Sequence, residues 1–245
     1  MIKETIKDWI RKSLWALHLD VTQNLRYDRQ TIAIMKRVLR KNSSCIDVGC
    51  HKGEMLELML KFSPEGKHFA FEPLPHLYQN LKQMFQNNSK IAIFDVALWN
   101  EKGTTTFNYV VNAPAYSGIK ERKYDKTPEI EVITVQTEKL DNLIPVTQKI
   151  DLIKIDVEGG ELGVLQGATE TITRNKPFIV FESGIGASDY YDTQPKQIFS
   201  LLENCGLSVS VMQDFLKNKP PLSLSEFETQ FHQQINYYFI AHPKR

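Results

Sequence analysis

The sequence predicts an α/β fold, a mostly parallel sheet covered by helices on both faces. Two observations lead there. Short, nearly continuous apolar runs alternate with longer segments of helical period, and strands that alternate with helices imply right-handed crossovers between parallel neighbours. The 245 residues, 42% hydrophobic and 24% charged, are also enough to bury a full-sized core.

At the start, Ile2, Ile6, Trp9, Ile10, Leu14 and Leu17 recur at three- and four-residue spacings beside Lys3, Lys7, Arg11 and Lys12, which predicts an amphipathic helix. Its apolar stripe needs a partner surface, the main domain or a second copy of the chain in a homodimer. Glu4 and Asp8 dilute the positive face that a membrane surface would attract. A second helix is expected over Asp28–Leu39 and completes an N-terminal helical segment, residues 1–40. Residues 41–245 then form one domain, since no linker or repeat divides them.

In that domain the pattern gives a strand at Ser44–Gly49, a helix at Glu54–Phe62, a strand at His68–Glu72, a helix at Leu77–Phe85 and a third strand at Ile91–Ala97. Period-two runs at Thr104–Val111 and Glu131–Val135 read as an antiparallel hairpin laid over the sheet, with a polar insert between them. Strands follow at Asp151–Val157 and Phe178–Glu182, and helices at Glu161–Ala168 and Ile198–Asn204, the second ended by Gly206. Leu207–Met212 and Ile235–Ala241 finish the sheet.

Lys and Arg number 30 against 29 Asp and Glu, a formal net charge of +1. Such a chain has no long-range field favouring nucleic acid, and no nucleic-acid partner is expected. No uncharged apolar run approaches the roughly 18 residues of a membrane span, and Met1–Ile10 lacks the apolar core of a secretory signal. Cys45, Cys50 and Cys205 have neither the number for a disulfide framework nor zinc-ligand spacing. Free thiols used as small core residues, in the cytoplasm, are the expectation.

In an open α/β sheet the ligand sits beyond the carboxyl ends of the strands. The first predicted strand ends in Asp47-Val-Gly49-Cys-His51-Lys-Gly53, a turn whose glycines let the backbone approach a ligand. Glu72 closes the second strand, where an acid can take both hydroxyls of a ribose, with Pro73 following. Asp95 on the third strand is placed to accept from an adenine amino group, and Val96 and Ala97 to flank the ring. A dinucleotide site wants G-x-G-x-x-G, but the turn lacks the middle glycine, and Asp47 would repel a pyrophosphate while accepting an ammonium. A nicotinamide-dependent oxidoreductase is the weaker alternative.

The turn, Phe71-Glu-Pro73, Asp95-Val-Ala-Leu98 and above all Ile150-Asp-Leu-Ile-Lys-Ile-Asp-Val-Glu-Gly-Gly-Glu-Leu162, followed by Val164-Leu-Gln-Gly-Ala168, resemble the FkbM family of S-adenosylmethionine-dependent methyltransferases. The likeness runs over about residues 40 to 240. It implies a class I methyltransferase (Rossmann-like) fold with a seven-stranded sheet, one strand antiparallel near the end, and O-methylation, often of sugar or polyketide hydroxyls. By position, it implies that Asp47, Gly49 and Gly53 form the methionine-side loop, with His51 on the same turn, that Glu72 anchors the ribose and that Asp95, Val96 and Ala97 wall the adenine. Many members carry Ala-Asn where this chain has Cys50-His51.

Methyl transfer needs an aligned acceptor oxygen and a group to take its proton. Asp156, Glu158 and Glu182 are the catalytic candidates, with Asp156 also bordering the cofactor. Together with Glu161 they would converge on one rim. Repulsion there raises at least one pKa toward neutrality or invites a divalent cation; direct base catalysis by Asp156 or Glu158 is preferred, because no ligand set has recognisable metal spacing. Glu161 has the alternative role of stabilising the first turn of its helix. His51 is a further candidate base and His76 a weaker one. The acceptor is expected to be a small molecule or glycan held by two loops. One is Asn112–Pro128 with Lys120, Arg122, Lys123 and Lys126, whose cations suit a phosphate or carboxylate; the other is Ser183–Pro195 with Tyr190, Tyr191 and Asp192, whose rings suit sugar faces. The expected reaction is O-methylation of a hydroxyl on a sugar or glycan precursor, with another small molecule, methylated at O or N, as the alternative acceptor.

Overall fold

The computed structural model describes residues 23–122 and 127–244. The N-terminal amphipathic helix, and with it the dimer surface, lies outside the described residues. Helix α1 (Gln23–Val38) leads to β1 (Cys45–Val48), α2 (Glu54–Phe62), β2 (His68–Phe71), α3 (Pro75–Met84) and β3 (Ile91–Phe94). The chain continues through β4 (Val96–Leu98), β5 (Gly103–Val110), β6 (Ile130–Glu138), α4 (Leu140–Leu143), β7 (Leu152–Ile155), α5 (Glu161–Gln166) and α6 (Thr169–Asn175). It ends with β8 (Phe178–Glu182), α7 (Pro195–Asn204), β9 (Leu207–Val211), α8 (Met212–Leu216), α9 (Leu224–His232) and β10 (Tyr238–Pro243).

Seven strands form the main sheet in the order β3-β2-β1-β7-β8-β10-β9. Its pairings are parallel except those of β10, which runs antiparallel to both β8 and β9. Successive side chains of a strand point to opposite faces, and the core divides accordingly. Ile46, Val48, Ile153, Ile155, Ile179 and Phe181 pack with α5, α6, α7 and α9. Cys45, Leu152, Val180 and Ile240 pack on the other face with Tyr27, Ile34 and Met35 of α1, Met55 and Met59 of α2, and Phe215 of α8. Helix α1 is tied down at its far end, where the Arg37 guanidinium donates to the carbonyls of Phe215 and Leu216 at 3.0 Å each.

The run Ile91–Ala97 is two strands, not one. Strand β3 is the edge of the main sheet and only half-buried, so no further strand holds the chain in register beyond Phe94. It leaves at Asp95, and β4 pairs parallel with β6, which pairs antiparallel with β5, giving a second sheet of three strands. Burial explains the exchange, since Ala97 packs there with Leu74, Leu77, Phe107 and Val135. The helix expected over Glu161–Ala168 stops at Gln166 and a new one starts at Thr169. Gly167 lies so close to Trp99 that an added Cβ would be 2.1 Å from its carbonyl oxygen. Helix α9, absent from the hydrophobic pattern, begins with a capping box: Ser223 Oγ accepts the Glu226 N–H at 3.3 Å, and Glu226 Oε2 accepts the Ser223 N–H at 2.7 Å.

Trp99 joins the two sheets. Its indole lies against Gly163 of α5, where an added Cβ would sit 2.3 Å from Cζ3. In an open helix Gly→Ala stabilises by about 1 kcal/mol, but overpacking of a rigid ring costs about 1–3 kcal/mol. Gly163→Ala is therefore expected to lower the melting temperature by several degrees; a raised one would show that Trp99 does not fill this groove.

Candidate active site

Register builds the site. Val48 pairs with Phe71 on one side and with Ile155 on the other, Phe71 pairs with Phe94, and Ile155 with Phe181. The next residue of each strand therefore stands in one row, Asp95, Glu72, Gly49, Asp156 and Glu182, on strands about 4.8 Å apart. Between β1 and β7 the chain order reverses, the switch point where such sheets bind ligands. Alternation then sorts the row. Asp47, Lys154, Asp156, Glu182 and Tyr238 share the parity of Cys45, Leu152, Val180 and Ile240, so they face α1.

Two clefts meet at this row. The first is a cleft with about 640 Å³ of space that is partly open to solvent. Gly49, His51, Glu72 and Pro73 form one side, with apolar walls from Phe71, Val96, Ala97, Leu98, Phe107 and Ile119. The second lies between α1, β10 and the insert after β5, and shares Ala115, Asp156 and Glu158 with the first. Glu182 lines only the second.

Glu72 is buried and ties two turns together, accepting the His51 N–H at Oε2 (2.8 Å) and the Leu74 N–H at Oε1 (3.0 Å). Burial pushes its carboxyl up to about 7 against the pull of those two bonds. Gly49 is left-handed, φ 74°, and an added Cβ would lie 1.9 Å from the Asp156 carbonyl oxygen, so the β1 turn and the β7 loop touch only because the residue is glycine. Asp47 is 1% exposed, with the Cys50 thiol and the Leu56 N–H directed at its carboxylate. The nearest charge is Lys154 Nζ, 3.9 Å away, and burial raises the carboxyl above its usual range.

Lys154, 7% exposed, donates to Asp156 Oδ2 at 3.0 Å. Burial of Asp156 opposes its ionisation, but the Lys154 ammonium and the Tyr238 hydroxyl outweigh that and hold the carboxyl below the usual range. Glu158 is the opposite case: burial, with Asp156 adding to it, pushes its carboxyl up to about 8 although the Arg122 guanidinium lies 2.5 Å away. Its backbone is left-handed, φ 57°, an uncommon state for a non-glycine residue. Glu161, fully buried, accepts the N–H groups of Val157 at 3.1 Å and Gly159 at 3.3 Å, so it braces this loop. Burial drives Glu182 well above its normal range, and Glu158 and Asp156 add to the effect.

Several expectations change. Asp95 is exposed and does not line the cleft, because the chain leaves the main sheet there, whereas Val96 and Ala97 do line it. Gly53 also lies outside the cleft: its missing Cβ makes room for Leu81, which would be 2.7 Å away. Arg122 is paired with Glu158 and lies 4.9 Å over the Tyr116 ring, so it is no unmatched cation for an anionic acceptor. Lys120 has an exposed side chain, and its N–H donates to the Tyr191 hydroxyl at 3.0 Å, tying the two acceptor loops together. Lys123 and Lys126 lie outside the described residues. His76 is exposed and its ring lies tilted against that of Tyr109, and the three cysteines are buried free thiols. Among the described residues no group of three or more His, Cys, Asp or Glu is placed to hold a metal ion, and no helix is long and apolar enough to cross a membrane.

The Methyltransferase FkbM domain model matches residues 47–209, the span of the whole row. The chain belongs to the FkbM methyltransferase family. It is 24% identical over 173 residues to the 2-O-methyltransferase NoeI of Sinorhizobium fredii, covering 63% of this chain and 68% of NoeI. It is 27% identical over 206 residues to the methyltransferase sdnD of Sordaria araneosa, covering 70% of this chain and 76% of sdnD. The solved FkbM methyltransferase of Methylobacillus flagellatus superposes with a TM-score of 0.52 at 14% identity, over 83% of this chain but only 44% of that one, and shares the fold. The methyltransferase assignment overturns the nicotinamide alternative.

Sequence reasoning passed over Lys154 in this methyltransferase. Its signal was a lysine inside the otherwise apolar strand Leu152–Ile155, where a charge needs a partner. Trp99, Tyr237 and Tyr238 were also missed. They stand at the cleft walls but belong to no spacing that distinguishes them from core.

Folded Glu72, Glu158 and Glu161 keep their protons up to about 7, 8 and 7, against 4.5 for an ordinary glutamate. From about pH 4.5 to about pH 8 the folded chain thus binds more protons than the unfolded one, and stability falls as pH rises. His68, lowered by burial, opposes this near its own titration, one group against three. The melting temperature of the ligand-free protein should drop between about pH 5.5 and about pH 8. A rise over that interval would show that the folded state does not retain these protons.

Proposed function

We propose that this methyltransferase moves a methyl group from S-adenosylmethionine to a hydroxyl of a sugar or glycan precursor. The observation that carries the reading is the levelled row at the strand ends, with Glu72 beside one cleft and Asp156 and Glu158 where that cleft meets another. Similarity to NoeI, itself a 2-O-methyltransferase, supports oxygen as the acceptor atom.

The residues present fit the donor. Each Glu72 oxygen accepts one backbone N–H and retains a lone pair for a ribose hydroxyl. Asp47, which lines a third opening together with Gly49 and His51, is an acid of the kind that takes the ammonium of an amino-acid tail. The apolar walls at Phe71, Val96, Ala97 and Leu98 suit a flat base. When bound, S-adenosylmethionine supplies a methyl group on a sulfonium, open to in-line displacement by oxygen.

The remaining chemistry belongs to the chain. Asp156, kept ionised by Lys154, is a weak base and serves to accept a hydrogen bond from the acceptor hydroxyl. Glu158 takes the hydroxyl proton. A carboxyl raised to about 8 gives a base whose strength is matched to near-neutral pH.

Calorimetric titration should show S-adenosylhomocysteine binding and NAD failing to bind. Glu72→Gln is expected to weaken S-adenosylhomocysteine about tenfold or more, the worth of one charge-assisted hydrogen bond. Glu158→Gln should cut kcat by about 100-fold or more, remove the alkaline rise of the pH profile, and change S-adenosylhomocysteine affinity far less. Wild-type affinity in Glu72→Gln would refute the ribose assignment, and an unchanged pH profile in Glu158→Gln would refute the base. Turnover is expected to survive a chelator; loss that returns with added divalent metal would replace direct base catalysis by a metal-assisted route.

A further inference from the structure

Strand β5 is a free edge of the second sheet. We infer that this edge is an interface to a second copy of the chain, paired antiparallel to it about a two-fold axis at Thr105. The pairing joins two three-stranded sheets, each covering its own first cleft, into one continuous sheet.

The other strand edges are short or protected. Strand β9 is buried at four of its five residues, and its Val209 carbonyl accepts the Leu222 N–H at 2.8 Å. Strands β3 and β4 have four and three residues, none of them exposed. Strand β5 runs for eight residues, Gly103–Val110, without a charge or a proline, the devices that commonly keep an edge from pairing. Gly103, Thr104 and Thr106 are exposed.

Parity decides which backbone groups are open. The Asn108 N–H donates to the Gly118 carbonyl at 2.8 Å, and the Asn108 carbonyl accepts the Gly118 N–H at 3.2 Å, so the backbone of Asn108 points away from β6. Alternation points Thr104 and Thr106 the same way. No strand lies beside these two among the described residues, and the Thr105 hydroxyl reaches the Thr106 carbonyl only at 3.4 Å. The open stretch is bounded on both sides, since Glu101 and Lys102 bend before β5 and Asn108 is already bridged to Gly118. Those bounds put the two-fold at Thr105. Thr104 then stands opposite Thr106 of the second copy, where the two residues exchange both backbone bonds. Thr105 meets its own copy in an uncharged cross-strand pair, and Gly103–Phe107 brings no like charges together. An identical strand thus supplies the matching half. So short a pairing falls below the roughly 1,200 Å² of a standard interface, and the dimer is therefore weak and reversible.

The test is sedimentation equilibrium of the full chain from about 10 μM to about 1 mM, the range in which a weak dimer is populated. A reversible monomer–dimer equilibrium is expected. Thr106→Pro removes an N–H that points away from β6, so the β5–β6 ladder survives while dimer affinity falls about tenfold or more. Should that variant not fold, Thr106→Lys, at an exposed side chain, places a charge on the edge and should weaken the dimer likewise. In the wild type, amide exchange at Thr104 and Thr106 should slow as concentration rises. A monomer throughout the range would overturn the proposal. So would a dimer that both variants leave intact, which would place the contact elsewhere on the chain, or exchange at these two amides that ignores concentration.

Discussion

One buried ammonium, that of Lys154, makes the acidic row at the strand ends tolerable. Asp47 and Asp156 stand on neighbouring strands and point to one face, and Lys154 lies within 3.9 and 3.0 Å of them. Two carboxylates brought into a low-dielectric site without a cation would protonate. With Lys154 present, Asp156 stays ionised, and its charge in turn raises the proton affinity of Glu158 and Glu182. Lys154, two residues before Asp156, thus sets the low end of the spread of acidities across the rim, and burial sets the high end. Removing Lys154 would leave two buried anions uncompensated, the circumstance in which breaking a buried pair costs about 3–5 kcal/mol.

Sheet geometry does the rest. Parallel pairing in strict register puts residues from separate strands level without any contact between their side chains. The second sheet is a consequence of the first one ending at β3. The chain turns off at Asp95 and covers the cleft with β4 and β5, and Trp99 fastens this cover to α5 through a groove of glycines.

Much of this was legible in the residues. Alternating apolar runs fixed eight of the strand positions to within a few residues, because buried parallel strands such as Cys45–Val48 and Leu152–Ile155 are apolar on both faces and bounded by polar turns. Glu72, Asp156 and Glu158 were legible because strand ends are where such sheets bind. The break at Asp95 was not: it depends on β3 being an edge and on burial offered by β5 and β6, both distant in sequence. Gly53 read as a ligand-facing glycine, yet the constraint on it comes from Leu81 of α3. Arg122 read as a free cation because its partner, Glu158, is brought to it only by the fold. Helix α9 did carry a local signal, Ser223 three residues before Glu226, which hydrophobic periodicity overlooks.

The loop after β7 shows how the fold sustains backbone strain at the rim of the clefts. A left-handed non-glycine residue costs of order 1–3 kcal/mol, and Glu158 occupies that state immediately before Gly159, φ 104°, and Gly160. A glycine at this position would adopt the left-handed state without that cost. The conformation of Glu158 is fixed from both sides. Glu161 takes the N–H groups of Val157 and Gly159, and Gly159 packs so closely on Ala187 that an added Cβ would be 2.3 Å from its carbonyl oxygen. The second acid of the Asp-Val-Glu-Gly-Gly-Glu segment therefore serves the first: Glu161 is buried to hold the turn, and the turn holds Glu158 between the two clefts.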